Sequence, residues 1–276
     1  MTHRERIKEH YRHGDLLNAI LAGIEHLGKT PETVTPDDLA PVDEFHIGGR
    51  TASEIFLDQL GFSGRDHLLD VGCGLGGTSR FVADRYQSRI TGIDLVKEYI
   101  QTGAVLCNWV GLNHLIALQQ GDVLNLPFAD STFNGAFMMH VGMNIQDKAS
   151  LFAEVNRVLR PGALFGIYDV MQTTAGKMAY PVPWASNSST SQIKSPETYK
   201  TVLEETGFAI DSERNRHSYA VKFFEQMQKN AGTSKEPPAL GPHILMGDDA
   251  RVKAENMIAN VSSGCIAPVE IIARKR

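Results

Sequence analysis

Residues 68–77, Leu-Leu-Asp-Val-Gly-Cys-Gly-Leu-Gly-Gly, join an apolar run to a glycine-rich segment. The apolar run predicts a β-strand that ends on the carboxylate of Asp70. Gly72, Gly74 and Gly77 then fit the pattern G-x-G-x-x-G, in which glycines allow a tight turn and a close approach of the backbone to a ligand. A strand followed by this turn and a helix predicts a pocket for a nucleotide-like molecule.

Two further acidic residues follow the next two apolar runs. Asp94 closes the run Ile-Thr-Gly-Ile-Asp at residues 90–94, and Asp122 comes after the apolar residues 115–118. The carboxyl ends of parallel strands open on the same rim of a sheet. We therefore expect Asp70, Asp94 and Asp122 to surround one pocket.

The position of Asp70 distinguishes between two classes of cofactor. The glycines and the spacing from Gly72 to Asp94 also suit a dinucleotide such as NAD, so a dehydrogenase remains an alternative. However, a carboxylate just before the turn would repel a pyrophosphate bound at the helix N-terminus. S-adenosylmethionine (SAM) has no phosphate and carries a positive α-ammonium and a positive sulfonium. Their attraction to a carboxylate about 4 Å away is worth a few kcal/mol before desolvation, and Asp70 therefore favours SAM.

Further segments resemble the class I SAM-dependent methyltransferases, in the same order and spacing, over about residues 44–215. They are the motif at 69–76, Gly-Asp-Val at 121–123 with Leu-Pro-Phe at 126–128, a fourth strand at 133–140, and a helix, turn and strand around 154–163. The resemblance implies an α/β Rossmann-like fold with a mostly parallel seven-stranded sheet and helices on both faces. It implies an N-terminal helical cap at 1–43 and a methyltransferase domain at 44–276, with lid segments at about 172–195 and 217–247.

The resemblance also implies which residues bind the cofactor. Asp94 would accept from the ribose hydroxyls, and Asp122 with the backbone N–H of Val123 would bind adenine. Tyr11 belongs to an N-terminal helix of the kind that closes over the cofactor in this fold. Cys73 is expected to be a small residue that fits the turn rather than a nucleophile. The residues expected to bind SAM and its product S-adenosylhomocysteine (SAH) are Tyr11, Asp70, Gly72, Cys73, Gly74, Gly76, Asp94, Leu95, Asp122, Val123 and His140.

Three segments outside these motifs are similar to bacterial methyltransferases related to the sarcosine and dimethylglycine N-methyltransferases. They are Asp-Glu-Phe-His-Ile-Gly-Gly at 43–49, His-Val-Gly-Met-Asn-Ile at 140–145 and Tyr-Pro-Val-Pro-Trp-Ala at 180–185. This narrower resemblance implies that the methyl acceptor is a small molecule and that an amine nitrogen is methylated. Methylation of oxygen or carbon remains open, and so does binding of SAM or SAH without transfer.

Candidate residues for the acceptor side follow from the chemistry. An amine or hydroxyl must lose a proton on methylation, and histidine is suited to accept it near neutral pH. His140, His46 and Asn144 are the catalytic candidates. The resemblance implies that His140 lies where the acceptor approaches and that His46 lies over the methionine part of SAM, although His46 also suits a capping role. Asn144, after the fourth strand, is a candidate for orienting the acceptor. Tyr180 and Trp184 are candidates for holding a methylated ammonium by cation–π contact, unless they only pack their segment. His243 is a further substrate candidate.

Composition excludes several classes of function. The 276 residues carry a net charge of −5 at pH 7, which opposes binding to nucleic acid or to an anionic membrane. The three cysteines form neither a disulfide framework nor a metal-binding pattern, and we expect no metal. No apolar run approaches the ~20 residues that span a bilayer, and the first residues lack a secretory signal. We expect a cytoplasmic monomer or homodimer that acts on a small molecule.

Apolar periodicity predicts the elements along the chain. We expect one helix over residues 3–28, a proline-rich loop at 29–43, and a helix that Thr51 caps and that ends at Leu60. Strands and helices then alternate. The predicted strands are 67–71, 89–93, 114–118, 133–140, 163–170, 208–214 and 266–273, and the predicted helices are 77–86, 97–110, 147–158, 196–206, 217–230 and about 248–262.

Overall fold

A sheet of seven strands forms the centre of the computed structural model, which describes residues 3–231 and 238–276. The strands are β1 (His67–Val71), β2 (Arg89–Asp94), β3 (Ile116–Gln120), β4 (Phe133–Met139), β5 (Leu159–Gln172), β6 (Phe208–Asn215) and β7 (Ile266–Lys275). Their order in the sheet is β3-β2-β1-β4-β5-β7-β6. Strands β1 to β5 are parallel, and β7 is antiparallel to both of its neighbours. The mostly parallel seven-stranded sheet predicted from the sequence is confirmed.

Helices cover both faces of this sheet. Along β1, Leu68 packs into the core cluster that contains Phe56 and Phe81, whereas Leu69 packs into the opposite cluster with Leu151. Successive side chains of a strand point to opposite faces, so a strand buried on both sides reads as a continuous apolar run. The helices in the described residues are α1 (His3–His10), α2 (Leu16–His26), α3 (Pro36–Asp43), α4 (Gly49–Leu57), α5 (Gly77–Tyr86), α6 (Lys97–Trp109), α7 (Lys148–Val158), α8 (Pro196–Glu205), α9 (His217–Ala231), α10 (His243–Met246) and α11 (Ala250–Ser262).

The topology of the sheet creates a crevice at the carboxyl end of β1. This strand pairs with β2 on one side and with β4 on the other. The connections from β1 and β4 leave in opposite directions, and ligands of such folds bind at this switch point. The turns after β1, β2 and β4 begin with Gly72, Leu95 and His140, and they border the crevice.

The N-terminal region differs from the prediction in two respects. The single helix expected over 3–28 is two helices, α1 and α2, and Gly14 between them has a φ of +88°. The expected loop at 29–43 contains α3, which begins with a capping box in which Thr35 and Asp38 bond each other's backbone N–H groups. Pro36 at the first helical position needs no N–H donor, so the prolines that suggested a loop are compatible with a helix there.

Three boundaries also differ from the predictions. Thr51 lies inside α4 rather than at its cap, because Gly48, with a φ of +96°, precedes the helix. The helix expected to end at Leu60 becomes a 3₁₀ turn from Asp58. Strand β5 begins at Leu159 rather than at the predicted residue 163. Its pairing with β4 shifts register between Phe133 and Gly135, and this irregularity accommodates Pro161 and Gly162, where a turn was expected.

The segments outside the sheet pack closely onto it. Helix α2 contributes Ile20 and Ile24 to a core cluster with Leu106 of α6 and Leu245 of α10. Within residues 173–195, Trp184 is buried in a cluster with residues of α9 and α11. Residues 232–237 of the predicted second lid segment lie outside the described residues. No helix in the described part of the chain is long and apolar enough to cross a membrane.

Candidate active site

The glycine-rich turn after β1 is fixed to the neighbouring strand. The backbone N–H groups of Gly72 and Cys73 both donate to the carbonyl of Ile93, at 2.9 and 3.0 Å. Gly72 has a φ of +76°, and a Cβ there would lie 2.5 Å from the side chain of Val141. Gly74 has a φ of +52°, but a Cβ there would meet no atom within 4 Å. The turn is therefore closely packed at Gly72 and open toward the crevice at Gly74.

Asp94 at the end of β2 completes this turn. Its Oδ2 accepts from the backbone N–H of Gly74 and its Oδ1 from that of Val96, both at 2.9 Å. Desolvation in the crevice raises the pKa of Asp94, while these backbone donors oppose the rise. Asp94 thus holds the turn in place, and it also lines the cavity described below.

Asp70 is more deeply buried. The side chain of Ser79 donates to its Oδ2 at 2.6 Å, and the residue is 3% exposed. Burial raises the pKa of Asp70 to about 7; the Ser79 hydrogen bond opposes this rise and the nearby Asp94 adds to it. A buried carboxyl with this pKa is a site at which a positive group of a ligand would favour the ionised form.

Asp122 follows β3 and is paired with the N-terminal helix. Its Oδ2 lies 2.7 Å from Nε of Arg4 in α1, and its Oδ1 accepts from the backbone N–H of Leu124 at 2.9 Å. Because the Arg4 side chain is 58% exposed, this ion pair contributes little to stability. The carboxylate remains at the edge of the crevice.

These three acids line one cavity of about 1020 Å³, counted out to its open mouth. It is of the size that cofactor pockets occupy. Its walls also include two histidines, Tyr99 of α6 and the backbone of the glycine-rich turn. The predicted residues that line it are Tyr11, His46, Asp70, Gly72, Cys73, Gly74, Asp94, Leu95, Asp122, Val123, His140 and Asn144.

His140, immediately after β4, lies deep in this cavity. Its φ is +55°, a conformation that is uncommon for a residue with a side chain and that often occurs at functional sites. Its Nε2 atom is buried and has no hydrogen-bond partner among the described residues. Burial and the neighbouring His46 hold the pKa of His140 well below its usual range, so its ring is neutral.

His46 lies beside His140, with ring centroids 5.9 Å apart, but its environment differs. Its Nε2 lies 3.2 Å from the carbonyl oxygen of Gly49 and 3.0 Å from Oγ of Ser53, which in turn donates to Glu44. Burial lowers the pKa of His46 to about 4. Nε2 therefore has hydrogen-bond partners in His46, whereas in His140 it has none among the described residues.

A second cavity adjoins the first. It has a volume of about 760 Å³, and Tyr11, Phe45, His46 and His140 line both cavities. We call it the apolar chamber, since its other described walls are Ile47, Met143, Pro183, Trp184, Phe223, Phe224, Met227, Pro242, Met246, Ala254 and Met257. The two cavities therefore meet at the histidine pair.

Comparison with known proteins relates part of this site to methyltransferases. Residues 69–167 match the family model described as methyltransferase domain. The matched residues include the glycine-rich turn, Asp94, Asp122 and His140. An O-methyltransferase of Pyrenophora dematioidea is 27% identical over 72% of this chain and 73% of that protein. The match to the sterol 24-C-methyltransferase ERG6B of Gibberella zeae spans only 28% of that relative.

Solved structures of methyltransferases share the fold of this chain. A geranyl diphosphate C-methyltransferase of Streptomyces coelicolor A3(2), in complex with SAH, has a TM-score of 0.72 at 18% identity and covers 100% of this chain and 99% of its own. A sarcosine dimethylglycine methyltransferase structure from Galdieria sulphuraria has a TM-score of 0.64 at 18% identity, over 81% of this chain and 83% of that one. The acid-lined cavity, with open space at Gly74, is large enough for a molecule of the size of SAM or SAH.

Some predicted residues lie outside both cavities. Gly76 does not line the cofactor cavity; it precedes α5 with a φ of +77°. Tyr180 lies outside both, and its hydroxyl is 3.6 Å from the sulfur of Met178. His243 begins α10 and also lines neither cavity. Trp184 does line the apolar chamber, and its Nε1 donates to Oγ of Ser191 at 2.9 Å.

The structure adds wall residues of the two cavities that sequence reasoning did not assign. Phe45 lines both cavities and adjoins His46 in a segment that the resemblance did include. Phe223, Phe224 and Met227 of α9 lie in the lid segment at 217–247 that the resemblance implies, but no pattern in the sequence distinguishes these side chains as wall residues. In the described residues no group of acids, histidines and cysteines is arranged to hold a metal ion.

Proposed function

We propose that this protein is a methyltransferase that transfers the methyl group of SAM to a small molecule in the apolar chamber. The observation that carries the proposal is that Tyr11, Phe45, His46 and His140 line both the cofactor cavity and the chamber. A methyl group can pass between two bound molecules only where their sites meet. The histidine pair marks that place.

Bound SAM supplies an electrophilic methyl group on a positively charged sulfur. The chain supplies binding and orientation, which account for much of the catalysis of such displacements. We assign Asp70 to the positive groups of the methionine part, Asp94 to the ribose and Asp122 to adenine. Each assignment follows the resemblance and is supported by the position of the three acids around one cavity.

His140 is our candidate for the group that accepts the proton of the acceptor. Its ring is neutral and its Nε2 lacks a partner in the described residues, so this atom is available to a hydroxyl or an amine. His46 has its Nε2 engaged and is assigned to positioning His140. Asn144 accepts from the hydroxyl of Tyr11 at 3.1 Å, and we assign it to holding Tyr11 against the cofactor cavity.

The identity of the acceptor atom is a separate question. The narrower sequence resemblance favours an amine nitrogen of the sarcosine or dimethylglycine kind. Oxygen and carbon are supported equally well by the relatives, one of which is named an O-methyltransferase and one a geranyl diphosphate C-methyltransferase. We keep oxygen as the second candidate, because the free Nε2 of His140 suits a hydroxyl as well as it suits an amine.

We also propose roles for the segments around the site. Residues 1–43 would cap the cofactor cavity through Tyr11 and Arg4, and the segments at 172–195 and 217–247 would enclose the chamber through Trp184 and Phe224. Binding of SAM without transfer would require this chamber to be blocked by residues 172–194. The chamber next to His140 favours transfer over that alternative.

A methyl-transfer screen tests the proposal. The full chain is incubated with SAM that carries an isotopically labelled methyl group and with sarcosine, dimethylglycine, other amines, phenols and enols. We expect labelled product and an equal amount of SAH with at least one acceptor. SAM binding without turnover on any acceptor class would contradict the transfer function and favour a binding protein.

A further inference from the structure

We propose that the apolar chamber selects a neutral, largely hydrocarbon acceptor and excludes zwitterions such as sarcosine and dimethylglycine. This inference rests on the proposed function, because it takes the chamber to be the acceptor site. It specifies the class of substrate, which neither the sequence nor the relatives determine.

The walls of the chamber carry the argument. Aromatic rings come from Phe45, Trp184, Phe223 and Phe224. Four methionines, at positions 143, 227, 246 and 257, also line the chamber. Methionine side chains are flexible and polarizable, so they adapt to apolar molecules of irregular shape.

The chamber also lacks the charges that a zwitterion requires. Among the described residues that line it, none is Asp, Glu, Lys or Arg. The nearby Lys253 is already bound, since its Nζ donates to the carbonyl of Met246 at 2.7 Å and lies 2.8 Å from a carboxylate oxygen of Asp249. Arg6 and Glu9 line a separate outer cavity that also contacts Tyr11 and Trp184.

A zwitterion would therefore lose hydration at both of its charges. The aromatic rings compensate part of this loss for an ammonium group by cation–π contact. They offer nothing to the carboxylate, which needs an ionic or multiple hydrogen-bonding partner when it is buried. A neutral molecule instead gains free energy in proportion to the apolar area that it buries. The chamber therefore disfavours zwitterions even when their shape would fit.

Met227 on α9 allows this inference to be tested without removing a core residue. Its side chain lines the chamber and is 40% exposed. Met227→Glu therefore introduces a carboxylate at the chamber wall, where solvent can hydrate it in the folded protein. Val252→Glu is the matched control, because Val252 on α11 is 45% exposed and lines neither cavity. Met227→Leu preserves the apolar surface.

The probe is the neutral fluorophore N-phenyl-1-naphthylamine, titrated into the full chain with and without saturating SAH. We expect one binding site, displacement by neutral alkylphenols, and no displacement by sarcosine or dimethylglycine. Met227→Glu should weaken probe binding by at least about tenfold, whereas Val252→Glu and Met227→Leu should change it by less than about threefold. Affinity for SAH should stay within about twofold in all three variants.

The outcomes separate this inference from the proposed function. Absence of SAH binding would contradict the proposed function itself. Three results, each with normal SAH binding, would overturn the inference about the acceptor and leave the cofactor site intact. They are no binding of the probe, displacement of the probe by sarcosine, and unchanged probe affinity in Met227→Glu.

Discussion

The imidazole of His140 stacks on the ring of Tyr168, with centroids 5.4 Å apart and planes 24° apart. The backbone N–H of His140 also donates to the carbonyl of Tyr168 at 2.8 Å, and the hydroxyl of Tyr168 donates to the carbonyl of Ile47 at 2.8 Å. Tyr168 belongs to β5, the strand beside β4. The histidine is therefore held by the sheet itself at the meeting point of the two cavities.

Replacement of His140 tests its assignment as proton acceptor. We expect His140→Asn to reduce turnover by about 10²- to 10⁴-fold, the usual contribution of a general base. Asparagine is chosen because it tolerates positive φ, so the backbone after β4 should remain as it is. SAH affinity, measured by calorimetry, should change by less than about threefold. Unchanged turnover would remove His140 from the mechanism.

Replacement of Asp94 tests the cofactor cavity. We expect Asp94→Ala to weaken SAM binding by more than about tenfold, because the carboxylate is lost where the ribose is expected. The variant also loses the acceptors of the Gly74 and Val96 N–H groups, so Asp94→Asn, which retains one oxygen, is measured beside it. Thermal unfolding of both variants separates loss of fold from loss of binding. Near-normal SAM affinity in both would contradict the cavity as described.

The pKa of Asp70 predicts a pH dependence of SAM binding. With a pKa of about 7 in the free protein, part of the Asp70 population is protonated below neutrality. A bound cation favours the carboxylate, so binding below pH 7 must release a proton and SAM affinity should fall by up to about tenfold per pH unit. Above pH 7 this dependence should level off. Two charged groups near Asp70 act on its pKa: Asp94 raises it and Arg80 lowers it. Cys73 is a third ionisable group close to Asp70.

The measurement is calorimetry with SAM between about pH 5.5 and 7.5, below the usual pKa of an α-amino group. In Asp70→Asn the slope should disappear and the binding enthalpy should no longer vary with the buffer's ionisation enthalpy. An equal slope in the variant would assign the pH dependence to another group.

Two glycines of the turn should respond differently to alanine. A Cβ at Gly77 would clash with the Cβ of Asp43 and would lie 2.6 Å from the carbonyl oxygen of Asp43, so Gly77→Ala should lower the free energy of unfolding by about 1–3 kcal/mol. A Cβ at Gly74 meets no atom, and its cost is left-handed strain of about 1–2 kcal/mol. Gly74→Ala should nevertheless cause the larger loss of SAM affinity. The reverse ranking in binding would show that Gly74 does not face the cofactor.

Much of the fold could be predicted from the sequence, because its signals are local. Strands β1, β2 and β4 are largely buried and therefore read as apolar runs. The placement of Asp70, Asp94 and Asp122 on one rim follows from the geometry of the parallel strands β1, β2 and β3. Helix α3 differs from the loop that Pro36 and Pro41 predict, because Pro36 occupies the first helical position and needs no N–H donor there. The Thr35–Asp38 capping box indicates the start of a helix and is the signal that competes with these prolines.

The cavity lined by the three acids could also be predicted, whereas the apolar chamber could not. The acids of that cavity lie at the ends of strands or in the turns that follow them. The chamber instead combines Phe45, Trp184, Phe224 and Met257, which are far apart in sequence and are brought together only by tertiary packing. Periodicity predicts the helix over 217–230 that contains Phe224, but it carries no information about the cavity that Phe224 borders.

The most direct test of the account is a calorimetric titration of the full chain with SAM, SAH and NADH. The account predicts that SAM and SAH each bind at one site per chain, compete with one another, and are not displaced by NADH. Binding of NADH in competition with SAM, or no binding of SAM, would contradict it, because the glycine-rich turn and its three acids would then serve another ligand.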